Sequence, residues 1–279
     1  MTVISLETPE LHENAVSFHW SVGPESPLYR RHEFLMEFPA NVRVDTVPEK
    51  IWWTVFLACV HSQWMFLRPC TVVLPVCLGK GEAEFWLRLM ETQLQTHEAT
   101  RGVFEISRDV WIQEGTRHLA AAAPLSSSSQ CATSFSGGKD SLLQTSLLCD
   151  LLPDIRPLLV ATTSPMEGKN DQNTSRRRHV FAQIQSRRNV ELIEVHSTLR
   201  SAWNNGYPGS LGYQISLNEV SDTFLYFSSL LVVGYVRNVP HLFLASEAEV
   251  QENTEVEGIP VQHPHCMYSG STQRALQAL

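Results

Sequence analysis

The chain has 279 residues, of which 43% are hydrophobic and 18% are charged. This balance excludes a core-poor peptide scaffold and an intrinsically disordered chain, because both lack enough apolar surface to bury. With 21 basic and 29 acidic residues the formal net charge is -8, so neither nucleic acid nor an anionic membrane is favoured as a partner.

Cysteine usage and the N-terminal sequence predict a cytoplasmic protein. The six cysteines include no CxxC pair, which is typical of a reducing compartment. The N-terminal sequence carries acids but no basic segment followed by an apolar run, so no secretory signal is expected. Apolar stretches at 51–79 and 223–236 are interrupted by polar residues or shorter than the roughly 20 residues of a membrane span. We therefore expect no membrane anchor.

The sequence pattern of residues 1–117 predicts an N-terminal α+β domain with an accessory or substrate-side role. Segments 49–67 and 81–99 are long enough for helices, and the second keeps roughly helical apolar spacing. Three mixed apolar runs, punctuated by prolines, favour antiparallel strands. These runs are 16–20, 32–38 and 41–47.

Residues 118–130 are rich in alanine and serine and have little to bury, so they are predicted to be a linker. From 131 to 279 short apolar runs alternate with helical stretches, which predicts a doubly wound, mostly parallel α/β sheet. The predicted strands are 131–135, 156–162, 190–195 and 241–245. The predicted helices are 142–152, 173–188 and 218–238. Ligands of such sheets bind beyond the carboxyl ends of the strands, so the loops beginning at 136, 163, 196 and 246 are candidate sites.

The first of these loops has the composition of a phosphate-binding turn. It reads Ser136-Gly137-Gly138-Lys139-Asp140-Ser141 and lies between a predicted strand and a predicted helix. Two glycines let backbone N–H groups approach a phosphate, and the helix contributes its positive end. The serines add hydroxyl donors, the lysine adds a cation, and the aspartate offers a carboxylate for Mg²⁺. The alternative is a tight turn before a capped helix.

This string is neither a Walker A loop nor a GxGxxG fingerprint. It resembles the PP-loop, S-G-G-x-D-S, of the N-type ATP pyrophosphatases, whose fold is of the adenine nucleotide alpha hydrolase type. The resemblance implies that the chain binds ATP and Mg²⁺, cleaves ATP between the α and β phosphates, and forms an adenylate. It implies that Ser136, Gly137, Gly138 and Ser141 bind the pyrophosphate. Lys139 and Asp140 would assist catalysis, with Asp140 also a metal ligand.

Further site residues are candidates by position. By the same resemblance, the end of the second strand, Ala161 and Thr162, would bind adenosine. Glu247 follows the fourth strand and could orient the acceptor or bind Mg²⁺, although its acidic loop is equally explained as a solvated one. Arg176 or Arg177 lies near the start of a predicted helix and could bind a phosphate or a carboxylate, the alternative being a solvated basic face.

A metal role for His263, His265 and Cys266 is the minor interpretation, because three ligands within four residues do not readily close a tetrahedral site. No proton-transfer group can be chosen from sequence order.

Within the PP-loop group, the aromatic first half, the string FSGGKDSLL and the later ASE-x-E string resemble the bacterial UDP-N-acetylmuramoyl-L-alanyl-L-glutamate epimerases. That resemblance implies a small-molecule or peptidyl carboxylate substrate, whose activated glutamate is epimerised. Those relatives continue into a cysteine-bearing C-terminal region, whereas this sequence stops at Leu279. The chain would then be a fragment, a shortened variant or a relative acting on another carboxylate. Two alternatives stay open, an adenylate-forming ligase or amidotransferase and a non-catalytic nucleotide-binding module. The oligomeric state is not predicted.

Overall fold

The computed structural model is an α/β fold built around a large mixed sheet. It describes residues 1–102, 109–126, 129–164, 172–213, 215–244, 253–256 and 259–262.

The first half combines short strands with two long helices. Its strands are β1 (Thr2–Leu6), β2 (Glu10–Leu11), β3 (Ala15–Gly23), β4 (Glu33–Glu37), β5 (Cys70–Val73), β6 (Val76–Cys77), β7 (Val110–Gln113) and β8 (Arg117–His118). Its helices are α1 (Glu49–Val60) and α2 (Glu82–Thr100). Both predicted helices are confirmed, although the first ends as a 3-10 helix over His61–Phe66.

The prediction of a strand at 41–47 was wrong. The segment contains a 3-10 helix at Val44–Thr46, held by the Thr46 N–H and hydroxyl, which both donate to the carbonyl of Arg43. The sheet also has no room for it there, because β4 already pairs with β3 on one side and with a strand of the second half on the other. The valines of this segment are buried by the turn instead of by strand alternation.

The second half alternates strands and helices as predicted. Its strands are β9 (Cys131–Ser134), β10 (Leu158–Thr163), β11 (Glu191–Ser197), β12 (His241–Phe243), β13 (Asn253–Val256) and β14 (Ile259–Gln262). Its helices are α3 (Lys139–Leu151), α4 (Gln172–Gln185), α5 (Tyr207–Ser210) and α6 (Leu217–Val236). The predicted strands and helices are each confirmed to within a few residues at their ends.

Nine strands form one continuous path in the order β12–β9–β10–β11–β4–β3–β1–β5–β7, with β2 paired to β3. Strands β12, β9, β10 and β11 are parallel, as are β1, β5 and β7. Antiparallel pairs link β11 to β4, β4 to β3 and β3 to β1. The sheet thus continues from one half of the chain into the other, and the domain boundary at 118–130 stays a prediction.

The core explains why α1 lacks a polar face. Ten consecutive residues, Ile51–Val60, are buried, because α1 packs against α6 on one side and against the aromatic side chains of β3 and β4 on another. A helix that is apolar all round is typical of such a central position. A smaller core of Phe135, Leu159, Ala161 and Val190 lies beneath α3 and α4. Within the described residues, every helix is too short or too polar to cross a bilayer.

Candidate functional site

The loop that follows β9 lies where the direction of strand succession reverses. Strand β9 has β10 on one side and β12 on the other, so the order of the four parallel strands is third, second, first, fourth. In open α/β sheets ligands bind at such a topological switch point, beyond the carboxyl ends of the strands. The strand order therefore makes loop 136–141 a candidate ligand site independently of its sequence.

Internal hydrogen bonds hold this loop in one shape. Gly137 has φ +74°, in the left-handed region that favours glycine. The Gly138 N–H donates to Ser136 Oγ at 3.2 Å, and Ser136 Oγ lies 3.2 Å from Ser141 Oγ. The Ser141 hydroxyl in turn donates to the Gly138 carbonyl at 3.0 Å. The two serines thus close a ring of hydrogen bonds across the turn.

Helix α3 begins directly after this ring, at Lys139. Its N-cap residue is Gly138, which has no side chain to cap the first turn. The first N–H groups of a helix lack intrahelical acceptors and carry partial positive charge, so they favour an anion. Asp140 also lies in this first turn, paired with Lys139 through an Nζ–Oδ1 distance of 3.1 Å. The pair is solvent-accessible, with 77% and 42% of its side chains exposed.

The loop forms one wall of a cavity of about 410 Å³. This volume is within the roughly 300–1,000 Å³ that is usual for small-molecule sites. The residues that line it are Ser134, Phe135, Ser136, Gly138, Asp140, Ser141, Val160, Thr162, Thr163, Ser164, Arg176, Arg177, Arg200 and Tyr226. Three of them are arginines and one is a carboxylate, so the lining is cationic in a chain of net charge -8.

Two neighbouring arginines of α4 connect the loop to the end of β10. Buried Arg177 donates from Nη1 to the Thr162 carbonyl at 2.9 Å and from Nη2 to Thr163 Oγ1 at 3.3 Å. Arg176 is exposed, and its Nη2 donates to the Gly137 carbonyl at 3.4 Å. Arg177 therefore fixes the cavity wall, whereas Arg176 adds a solvent-accessible cation at the glycine turn.

The lining of the cavity also contains groups that the sequence analysis did not identify. Arg200 follows β11 and forms a two-point pair with Asp222 of α6, with an Nε–Oδ1 distance of 2.9 Å. Its Nη2 also donates to the Tyr226 hydroxyl at 3.4 Å, and its backbone N–H donates to Ser164 Oγ at 3.2 Å. Loop 196 was a candidate from strand order, but no motif marked Arg200 or Tyr226.

The structure brings together six of the predicted site residues. Ser136, Gly138, Asp140, Ser141, Thr162 and Arg176 all line the cavity. Gly137 is buried within the turn and does not line the cavity, although its neighbours Ser136 and Gly138 do.

Two further predicted residues are placed differently. The Lys139 side chain extends outward to Asp140. The Ala161 side chain packs into the smaller core, since alternate residues of β10 face opposite sides of the sheet. The adenosine role given to the end of β10 stays a prediction.

Glu247, His263, His265 and Cys266 lie outside the described residues. Over the part of the chain that the structure describes, no group of three His, Cys, Asp or Glu side chains could hold a metal ion.

No protein-family model matches the chain, and neither a curated protein nor a solved structure matches it. The assignment of the site therefore rests on its geometry and chemistry.

Proposed function

We propose that the chain is an ATP-dependent enzyme that cleaves ATP between its α and β phosphates and transfers AMP to a carboxylate or similar oxygen. The observation that carries this proposal is the joint placement of loop 136–141, the start of α3 and Arg176 around one cationic cavity. A triphosphate is the ligand for which uncapped helix amides, hydroxyl donors and guanidinium groups are jointly suited.

In this proposal the loop binds the two terminal phosphates. The N–H groups of the first turn of α3 donate to phosphate oxygens, and the Ser136 and Ser141 hydroxyls turn from their ring of hydrogen bonds to donate to the phosphate as well. Arg176 adds a positive charge beside the glycine turn, because its guanidinium already contacts the Gly137 carbonyl. The adenosine then extends toward the end of β10, where Thr163 and Ser164 line the cavity, and toward Tyr226 of α6.

Among the described residues that line the cavity, Asp140 is the one carboxylate, and it suits Mg²⁺. It lines the cavity and is 42% exposed, so its oxygens are accessible. Mg²⁺ is usually held by one or two carboxylates together with substrate phosphates, so one aspartate beside a triphosphate fits. When bound there, Mg²⁺ would neutralise phosphate charge.

The proposed reaction is a displacement at the α phosphorus. An oxygen of the acceptor carboxylate forms a bond to phosphorus, the bond to the bridging α–β oxygen breaks, and pyrophosphate leaves with the electron pair. Donors held before the reaction stabilise the charge that develops on the leaving group without reorganising. The N–H groups at the start of α3 are suited to this role, because the serine ring of hydrogen bonds holds the turn before them in shape.

Epimerisation of a terminal L-glutamyl residue is the finer form of this proposal. Adenylation removes the carboxylate charge that opposes a neighbouring carbanion, so an α-proton becomes easier to remove. The ligase or amidotransferase alternative uses the same adenylate but yields a stoichiometric amide. Chiral analysis of the product distinguishes the two, because only epimerisation returns the same carboxylate with an inverted centre.

Calorimetric titration with MgATP tests nucleotide binding, with a matched pair of arginine variants. Arg176→Gln removes a cavity cation and should weaken binding about tenfold, the equivalent of about 1.4 kcal/mol. Arg178→Gln is the control, because Arg178 lies on the same helix but pairs with Glu194 at the surface. Absence of MgATP binding to the wild type would contradict the proposal. Tight binding without turnover on any carboxylate would instead support a non-catalytic nucleotide module.

A further inference from the structure

Arg177 of α4 is a buried cation in the wall of the cavity at loop 136–141. Only 5% of this residue is exposed, yet it lines the cavity together with its exposed neighbour Arg176. A charged group is costly to bury unless hydrogen bonds or an opposite charge compensate it. A guanidinium is not deprotonated in proteins, so Arg177 stays charged in this position. A buried guanidinium in a cavity wall therefore favours a ligand that brings negative charge.

The Arg177 side chain spans two parts of the cavity wall. Its stem lies against the glycine turn, because a Cβ added to Gly137 would be 3.5 Å from Arg177 Cα and Cγ. Its guanidinium lies at the end of β10, where Nη1 donates to the Thr162 carbonyl at 2.9 Å and Nη2 donates to Thr163 Oγ1 at 3.3 Å. One side chain thus contacts both loop 136–141 and β10.

Arg176 holds a different position, although it is adjacent in sequence. Its Nη2 donates to the Gly137 carbonyl at 3.4 Å, so its charge lies at the glycine turn. Consecutive residues of an α-helix point about 100° apart, which is why the two side chains take separate directions. The cavity therefore has one cation at the turn and another at the end of β10.

The position of Arg177 corresponds to the middle of the proposed nucleotide. In the proposed function the terminal phosphates bind at loop 136–141, and the adenosine extends toward the end of β10. The α phosphate joins these two parts of ATP, so it would lie between their sites. Because the Arg177 side chain contacts both sites, its guanidinium is placed beside the α phosphate.

The hydrogen bonds to β10 fix the guanidinium before a ligand binds. A guanidinium carries five N–H donors in one plane, so it can hold two protein oxygens and a phosphate oxygen together. The phosphorus of this phosphate is the atom attacked in the proposed reaction. A cation fixed beside it would hold the reacting centre in one orientation, which is a large part of what enzymes contribute to such displacements.

We propose that Arg177 binds the α phosphate of the nucleotide, whereas Arg176 binds its terminal phosphates. Arg177 donates to a non-bridging oxygen of the α phosphate while its contacts with Thr162 and Thr163 keep it in place. This inference rests on the proposed function, from which it takes the sites of the two ends of ATP. It adds a separate role for each of the two neighbouring arginines.

Separate titrations with AMP and with magnesium pyrophosphate test this division. AMP carries the adenosine and the α phosphate, and pyrophosphate represents the two terminal phosphates. Binding to the intact protein is measured by calorimetry, with displacement of MgATP where a ligand is too weak for direct titration. Arg177→Gln should weaken AMP binding by about tenfold or more, the effect of one charge-assisted hydrogen bond, and leave pyrophosphate binding unchanged. Arg176→Gln should show the reverse pattern.

The pyrophosphate titration also controls for the fold, because replacement of a buried arginine can destabilise the protein. Arg177→Lys is a second variant that keeps the charge and most of the stem but lacks the planar fork. It should recover part of the AMP affinity that Arg177→Gln loses. Equal losses of AMP and pyrophosphate binding in both Arg177 variants would overturn the proposal, because a residue that only maintains the fold would affect the two ligands alike.

The outcomes for Arg177 and for the proposed function can be told apart. Unchanged AMP affinity in Arg177→Gln, with MgATP binding and AMP formation intact in the wild type, would overturn only the role of Arg177. The expected pattern in a protein that turns over no carboxylate would support that role and contradict the proposed reaction. A wild-type protein that binds neither AMP, pyrophosphate nor MgATP would contradict both.

Discussion

Replacement of Gly137 by alanine tests the shape of the phosphate-binding turn. Gly137 has φ +74°, and a non-glycine residue in the left-handed region costs about 1–2 kcal/mol. The added methyl group brings little further penalty, because its closest neighbours would be Arg177 Cα and Cγ at 3.5 Å, an ordinary contact. The expected loss of unfolding free energy is therefore about 1–2 kcal/mol, arising from the backbone alone.

The matched control is Gly209→Ala. Gly209 lies in α5 with a negative φ, and a Cβ there would meet nothing within 4 Å. That variant should be neutral or more stable by up to about 1 kcal/mol, because alanine restricts the unfolded chain. Urea denaturation at pH 7 gives both free energies, and thermal melts should show the Gly137→Ala transition lower by about 2–4 °C per kcal/mol.

The strain can appear in one of two measurements. If the turn keeps its shape, stability falls as described. If the turn relaxes, MgATP must restore the native shape on binding, and its affinity should fall by about 5- to 30-fold, equivalent to 1–2 kcal/mol. A Gly137→Ala protein as stable as Gly209→Ala, with unchanged MgATP affinity, would refute the left-handed turn and its role.

Three further predictions concern the first half of the chain and its contacts. Burial lowers the pKa of His61 to about 4, so the stability that neutral His61 confers above pH 6.5 should be lost as the pH falls toward 4. Urea midpoints at pH 7 and pH 4.5 should differ less in His61→Asn, and equal wild-type midpoints would contradict this. Burial, followed by its hydrogen bond to Glu98, raises the pKa of Tyr213, whose hydroxyl donates to Glu98 Oε1 at 2.5 Å. Stability should therefore fall as the pH rises above about 10, and Tyr213→Phe should reduce that loss in melts from pH 9 to 11. Gly115→Ala should destabilise by about 1–3 kcal/mol or more, since its Cβ would lie 2.5 Å from the Pro75 backbone, and a neutral urea midpoint would argue against that close approach.

Local pattern was sufficient to locate most elements of the second half. Short apolar runs bounded by helical stretches are compatible with few secondary structures other than buried strands. Strands β9, β10 and β11 all lie where this pattern predicts them. The loop at 136–141 could also be found, because its glycines and serines stand at a strand-to-helix junction.

The arrangement of these elements could not be read from the sequence. Pairing of β11 with β4 joins segments about 160 residues apart, for which neither strand carries a local signal. The 41–47 segment has apolar residues suited to a strand, but the neighbouring edges were already occupied, and a turn buried its valines instead.

The same limit applies to the site. Arg200 and Tyr226 enter the cavity from a segment after β11 and from α6, and they approach each other only through tertiary packing. Conversely, Lys139 belongs to the motif, but its helical position turns the side chain toward solvent. A motif thus identified the backbone turn correctly, while the side chains around it depended on the fold.

The most direct measurement of the central claim is the identification of the nucleotide products. Purified protein, MgATP labelled at the α phosphate and a panel of carboxylates, including glutamate-terminated peptides, would be incubated and separated by ion-exchange chromatography. Cleavage between the α and β phosphates predicts labelled AMP or an acyl adenylate with an equal amount of pyrophosphate, and strongly reduced yields in Arg176→Gln but not in Arg178→Gln. Labelled ADP with inorganic phosphate would contradict the account, because it requires cleavage at the γ phosphate.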